Sequence, residues 1–321
     1  MKLILSLGAA TIGGLTAMLL TAPAALAIDC AKASSSVEKA ICANPKAQQA
    51  DDDMVAAFSN LKQSLKPADQ KVLVANQASW IKSREDCTTD ASGNAQADDK
   101  IAACVVAQTE ARQKYLSGQP AEGPGTADAI VPVLRQGADG SFFTSVNFSD
   151  AATMAEKLVN NTLNGQMKKF HLAAKGEDYG DGFSATLAYA SPALVSIAVV
   201  TDDESPKLAH PMRGGYSLNV DMQSGRELKI DDLLDKEGIA AVQQQCLGQL
   251  KDYFADTDGV VEGDQSPDLV KQDIASLKTW TFGAAAATLT FDPADSPPTG
   301  VCTIDYATLR PLAKASFPLP K

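Results

Sequence analysis

The tightest constraint on this chain is a set of six cysteines lying behind an apolar N-terminal stretch. Lys2 gives that stretch a positive start, Leu3 to Leu20 is apolar but broken by Gly and Thr, and Ala25-Leu26-Ala27 has the small-residue spacing of a cleavage site. Residues 1–27 are therefore expected to be a secretory signal rather than a retained anchor. Asp29 precedes Cys30, where lipid attachment needs a small residue, so the expected product is soluble, starts at Ile28 and is periplasmic or secreted. No later stretch is apolar and long enough to span a bilayer. An even number of cysteines outside the cytoplasm implies disulfides: Cys30, Cys42, Cys87, Cys104, Cys246 and Cys302. Fifteen pairings are open to six cysteines. Pairing neighbours gives Cys30–Cys42, Cys87–Cys104 and Cys246–Cys302 as the working expectation, each contributing about 2–4 kcal/mol. No C-x-x-C occurs, so neither a dithiol redox centre nor a zinc knuckle is indicated, and no cofactor or metal is expected.

The chain has 28 basic and 39 acidic residues, a net charge of −11, and loss of Lys2 with the signal removes one more positive charge. Nucleic acid needs a basic surface, so it is excluded as a partner class. A cationic partner fits, through faster encounter.

A chain of this length exceeds one small core, and two domains are expected. The run from Ser117 to Ala127 is rich in Gly and Pro with no apolar periodicity, so residues 118–128 are assigned as a linker between a domain at 28–117 and another at 129–321. The first is helical. Ser35 and Glu38 form a capping box for a short helix to about Cys42. Asn44-Pro45 starts a second, with Met54, Phe58, Leu61 and Leu65 on one face. Pro67 starts a third, carrying Leu73, Trp80, Arg84 and Cys87. A last helix runs from about Asp98 to Leu116. So small a bundle needs its staples.

Beyond the linker, strands are expected at Phe142–Phe148, Phe183–Tyr189 and Ala193–Val200, with a helix at Ala151–Lys168 whose buried side holds Met154, Leu158, Thr162 and Leu163. Leu218, Val220 and Met222 alternate up to a turn at Gln223-Ser224-Gly225, giving a hairpin. Helices near Gly238–Phe254 and Pro267–Leu277 precede strands at Ala287–Phe291 and Val301–Ile304. The fold class is α+β: a stapled all-α domain, then an antiparallel sheet with helices on one face.

Residues 28–116 resemble the LprI-type lysozyme-inhibitor domain. The likeness rests on Asp29-Cys30-Ala31-Lys32-Ala33, Val37-Glu38-Lys39-Ala40-Ile41-Cys42, Asp52-Asp53, Trp80, Arg84, Cys87, Cys104, Thr109, Arg112 and Leu116. Phe58 stands where that family usually has tyrosine. The segment from about Ile130 resembles the outer domain of the RsiV family. That likeness rests on Ala209-His210-Pro211, Tyr216-Ser217-Leu218-Asn219-Val220-Asp221, Ser224-Gly225-Arg226-Glu227-Leu228 and Asp231-Asp232-Leu233-Leu234. That family includes anti-sigma factors whose outer domain binds lysozyme. Both resemblances imply lysozyme as partner, an inference by analogy.

The residues offer little for catalysis. His171 and His210 are the only histidines, and no G-x-S-x-G elbow or H-E-x-x-H helix occurs. His210 is read as the structural anchor of a loop. Asp51-Asp52-Asp53 diverge by about 100° per residue on a helix, so they suit a solvated helix start rather than a metal site. Arg84 and Arg112 are expected to be half-buried struts paired with carboxylates such as Glu38 or Asp53, and Trp80 a core residue. Arg213-Gly214-Gly215-Tyr216 is the candidate partner contact, since glycines admit a close surface and tyrosine anchors interfaces; its plainer reading is a loop and a first strand residue. The expectation is an exported, non-enzymatic protein that binds and inhibits lysozyme by steric occlusion. The alternatives are a non-catalytic envelope module binding peptidoglycan fragments or another secreted protein, and an enzyme acting on cell-wall glycan.

Overall fold

A computed structural model describes residues 28–90, 92–177, 179–204, 212–250, 267–291 and 300–321. Residues 1–27, where a signal is expected, His210 and the end of the helix expected at Gly238–Phe254 lie outside the described residues. The three disulfides join each cysteine to its neighbour: Cys30–Cys42, Cys87–Cys104 and Cys246–Cys302.

Four helices build the N-terminal part: α1 (Ser36–Ala43), α2 (Pro45–Ser64), α3 (Pro67–Ser83) and α4 (Asp98–Leu116). Their starts are set locally. The Ser35 hydroxyl accepts from the Glu38 N–H while Glu38 reaches back to the cap, and Asn44 accepts from Lys46 and Ala47. Cys87 lies beyond α3, in a 3₁₀ turn over Arg84–Thr88. Its bond to Cys104 clamps that turn to α4. Two small apolar clusters result, one around Ile41, Cys87 and Val105, the other around Met54, Phe58 and Leu73.

The rest is built on a six-stranded sheet in sequential order: β1 (Ile130–Gln136), β2 (Phe142–Phe148), β3 (Gly182–Ala190), β4 (Leu194–Asp203), β5 (Met212–Asp221) and β6 (Arg226–Glu227). The sheet is mixed, not wholly antiparallel as expected. Helix α5 (Met154–Met167) crosses over between β2 and β3, which therefore pair in parallel. Ala155, Val159, Leu163 and Met167 of α5 pack on one sheet face. Met154, expected on that side, is 72% exposed, since it lies one helical step, about 100°, off the face that Ala155, Val159, Leu163 and Met167 bury.

Short helices α6 (Ile230–Leu233), α7 (Lys236–Gln249) and α8 (Pro267–Ile274) lead to a second sheet of β7 (Trp280–Phe282), β8 (Ala286–Thr290) and β9 (Val301–Asp305), closed by α9 (Tyr306–Leu309). This sheet covers the other face of β4 and β5. Strand β4 is thus buried on both sides, which is why Ala193–Val200 reads as an apolar run broken only by Ser196. Val195, Ile197 and Val199 face α5, while Leu194 joins the core around Trp280 and Phe282.

Polar groups join the two sheets. Ser196 and Asn219 are buried partners on adjacent strands. The Ser196 hydroxyl donates to Asn219 Oδ1 at 2.7 Å and accepts the Phe282 N–H at 3.0 Å. Asn219 Nδ2 donates to the carbonyls of Leu277 and Trp280 at 3.0 and 2.8 Å. Residues 118–128 also bond to the sheet: Ala121 and Glu122 donate to the carbonyls of Leu187 and Ala188, at 2.8 and 2.9 Å, along the part of β3 beyond its short pairing with β2. Gly118 has φ +65°, and a Cβ there would meet the Ile130 carbonyl oxygen at 1.7 Å.

Replacing Asn219 by alanine leaves two buried carbonyls and the Ser196 hydroxyl short of a partner. The expected loss is about 2–3 kcal/mol, read as a lower denaturation midpoint.

Candidate partner-binding surface

In the bundle, the sequence-identified residues converge on Trp80. The Arg84 guanidinium lies 4.8 Å from the Trp80 ring centre and that of Arg112 lies 5.6 Å from it. Both arginines are almost fully buried rather than half-buried; Arg84 has a carboxylate partner, though it is neither Glu38 nor Asp53, while Arg112 is held by amides. Arg84 Nη1 donates to Asp51 Oδ1 at 2.9 Å, with both side chains under 5% exposed. Arg112 donates to neutral amides: Gln77 Oε1 at 2.9 Å and Asn76 Oδ1 at 2.7 Å. Glu38 accepts the backbone N–H groups of Ser34 and Ser35, which hold its carboxyl below the usual range. Asp53 points outward to Gln49. The aspartate run is likewise corrected: it lies in the second turn of α2 and beyond, Asp52 and Asp53 are exposed, and Asp51 alone turns inward. The 100° step that argued against a metal site is what selects one of the three for burial.

Burial pushes the Arg112 guanidinium down to about 10, so it stays charged at neutral pH. Tyr115, also against Arg112, is the joint to the sheet: its hydroxyl lies 3.4 Å from the Val133 carbonyl and 3.5 Å from that of Ser145. Desolvation raises its pKa. Trp80 is half-buried at the edge of the cluster around Met54 and Leu73, not at its centre. These residues act as a rigid polar frame. The exposed cleft beside it is about 280 Å³ and is lined by Ile28, Asp29, Lys32, Glu38, Arg84 and Glu85 among others.

Arg213, Gly214, Gly215 and Tyr216 fall inside β5, not in a loop before it. Alternation along the strand therefore splits them between two faces. Gly214 and Tyr216 share the α5 side with Val199 and Thr201, their register partners. Arg213 and Gly215 share the opposite side, where Arg213 Nε lies 2.8 Å from Asp202 Oδ1. The Tyr216 hydroxyl is buried with no hydrogen-bond partner among the described residues, and burial, with the nearby Glu227 carboxylate, pushes it up to about 12. Gly215 borders a shallow groove of about 220 Å³ with Val200, Lys278, Thr281 and Thr290. The four residues therefore cannot form one contact patch through their side chains. The period-2 alternation of a strand would have shown this, had the strand been extended back to Met212.

His171 Nε2 lies 2.6 Å from Glu177 Oε2 on the surface, and its ring packs against Tyr179. Its backbone N–H donates to Asp181, so this stretch is organised as a loop tie. Among the described residues, no group of three or more His, Cys, Asp or Glu side chains could hold a metal ion, and no helix is long and apolar enough to cross a membrane.

Residues 30–116, the whole stapled bundle, match the family model described as "Lysozyme inhibitor LprI". Two solved structures resemble part of the chain. One is a DUF3298 family protein from Pseudomonas aeruginosa PAO1, 17% identical, TM-score 0.42, covering 60% of this chain and 97% of its own. The other is a DUF3298 family member from Bacteroides fragilis NCTC 9343, 13% identical, TM-score 0.35, covering 59% of this chain and 95% of its own. No curated protein matches the chain.

Replacing Arg84 by methionine strands the Asp51 carboxylate in the bundle interior. Removing one partner of a buried pair costs about 3–5 kcal/mol, so urea denaturation is expected to show the bundle unfolding well before the sheets.

Proposed function

We propose that this is an exported protein that binds c-type lysozyme and inhibits it by steric occlusion, without chemistry of its own. The observation that carries the reading is the match of residues 30–116 to the lysozyme-inhibitor model. It coincides with a bundle held rigid by two disulfides and by the buried Arg84–Asp51 and Arg112–Gln77 contacts. Rigidity suits an inhibitor, because a surface already in its bound shape loses little entropy on docking. The disulfides fit export to the periplasm or beyond, where thiols are oxidised.

Charge is divided unevenly. Residues 28–117 carry 12 acidic and 11 basic side chains, so nearly all the excess negative charge lies in the C-terminal part. In this reading the bundle supplies the shape that blocks the cleft, and the acidic part draws in the cationic enzyme. Such steering raises association about 10- to 1000-fold at low salt. The resemblance of the chain beyond Ile130 to the outer domain of RsiV supports a second contact with the same enzyme.

The test is clearing of a cell-wall suspension by c-type lysozyme, with retention on immobilised enzyme. Intact protein is expected to slow clearing and to be retained, with retention weakening as salt rises. Reduced and alkylated protein is expected to lose both properties. Absence of inhibition together with absence of retention at low salt rejects the reading.

A further inference from the structure

The expected first residue of the exported chain, Ile28, is already docked. Its backbone nitrogen lies 3.4 Å from Asp51 Oδ2. Asp51 is 3% exposed, and its other oxygen takes the hydrogen bond from Arg84. The Ile28 side chain packs on the cluster around Val37, Ile41 and Cys87, and Cys30 is held two residues on by its bond to Cys42. Position 28 is therefore fixed through its nitrogen, its side chain and the following staple.

While the peptide bond from Ala27 is intact, that nitrogen is a neutral amide. Hydrolysis of Ala27–Ile28 by a protease of the export route consumes one water. The water oxygen goes to the Ala27 carbonyl carbon, the C–N bond breaks, and the Ile28 nitrogen leaves as an amine. At neutral pH the proton shed by the new carboxyl balances the one taken up by the amine, so the chain gains an ammonium at Ile28. A carboxylate has about four lone-pair sites for donors, and hydrogen bonds from a charged donor are about twice as strong as those from a neutral one.

We propose that Asp51 is the binding site for the chain's own new N-terminus: cleavage turns the Ile28 amide into an ammonium that pairs with Asp51 Oδ2 and completes a buried Arg84–Asp51–Ile28 triad. This goes beyond lysozyme binding and rests on export with cleavage after Ala27. The unprocessed chain offers Asp51 only the neutral Ile28 amide and so holds the bundle less firmly, which suits a chain that must cross a membrane unfolded. The charged groups around the new ammonium are Asp51, Arg84, Asp29, Lys32, Glu38 and Glu85. Lys32 is paired with Asp29 at 3.0 Å, and Glu38 with its capping box. The carboxylates outnumber the cations, which favours the charged amine.

The sign of the pH effect follows. An amine held by a carboxylate titrates above its free value of about 8, so the added stability is present below that pH and is lost as pH rises through the bound value.

The experiment compares the full exported chain, its first residue sequenced, with the same chain carrying one alanine before Ile28. Ile28 is expected to come first and to be labelled by an amine reagent about ten-fold more slowly at pH 7 than the added alanine, the equivalent of one unit in pKa. The extension is expected to lower Tm by several degrees at pH 7, with the gap closing near pH 10. Asp51→Asn is expected to abolish the slow labelling. Because that variant also strips Arg84 of its partner and can unfold the bundle, the extension decides, since it alters no side chain. An N-terminus other than Ile28 overturns the cleavage premise, and lysozyme retention measured on the same sample is judged separately. Ile28 in first place, with equal labelling and equal Tm in the two chains, overturns the triad.

Discussion

The N-terminal bundle divides its apolar core into two small clusters, and the bond between Cys87 and Cys104 reinforces it. It clamps the 3₁₀ turn that follows α3 to the side of α4. That turn carries Arg84 inward to Asp51, and α4 carries Arg112 to Gln77 and Asn76, with Trp80 between the two guanidinium groups. A buried ion pair is poor stabilisation by itself, because desolvation offsets most of the attraction. It does penalise every arrangement in which the partners are separated. The staple and the charges thus enforce one packing where a small oily core alone would allow several.

The same economy recurs where the two sheets meet. Ser196 and Asn219 occupy the central strands and bond to three backbone groups around β7. An apolar pair would bury area without fixing register. The amide fixes it, because only one placement of Trp280 and Leu277 presents both carbonyls to Nδ2. The Cys246–Cys302 bond ties α7 to β9 behind that contact. Tyr115 then carries the order across to the bundle. The Gly- and Pro-rich segment lies along β3 through backbone bonds, so bundle and sheet are joined by more than the chain between them.

These features bear on the proposed function. On that proposal, an occluding inhibitor needs a shape that survives contact with its target, and each of these joints limits internal motion at a polar contact. Charge is handled elsewhere, in the part beyond the bundle. Separating steering from fit lets each surface change without spoiling the other.

Local signals in the sequence were decisive wherever the physics is local. Caps at Ser35 and Asn44, prolines at 45 and 67 and the apolar spacing of Met54, Phe58 and Leu61 placed the first three bundle helices, since a helix start is settled within one turn. The period-2 runs at 142–148 and 183–189 and the turn at Ser224-Gly225 were equally legible. Strands β1 and β7 were not: one contains Pro132 and the other is three residues long, too short for a period. Partner choice was beyond reach as well. A helix presents Asp51, Asp52 and Asp53 in three directions, and only the packing of α2 against the turn holding Arg84 decides which is buried. Likewise β5 could be read as polar and half-exposed, but only the second sheet makes Ser217 and Asn219 interior residues with partners some sixty positions away. Sequence determined most of the elements and the oxidised state of the cysteines, because those depend on neighbours along the chain and on compartment; tertiary structure alone decided which polar groups meet, because burial is set by what lies across from them.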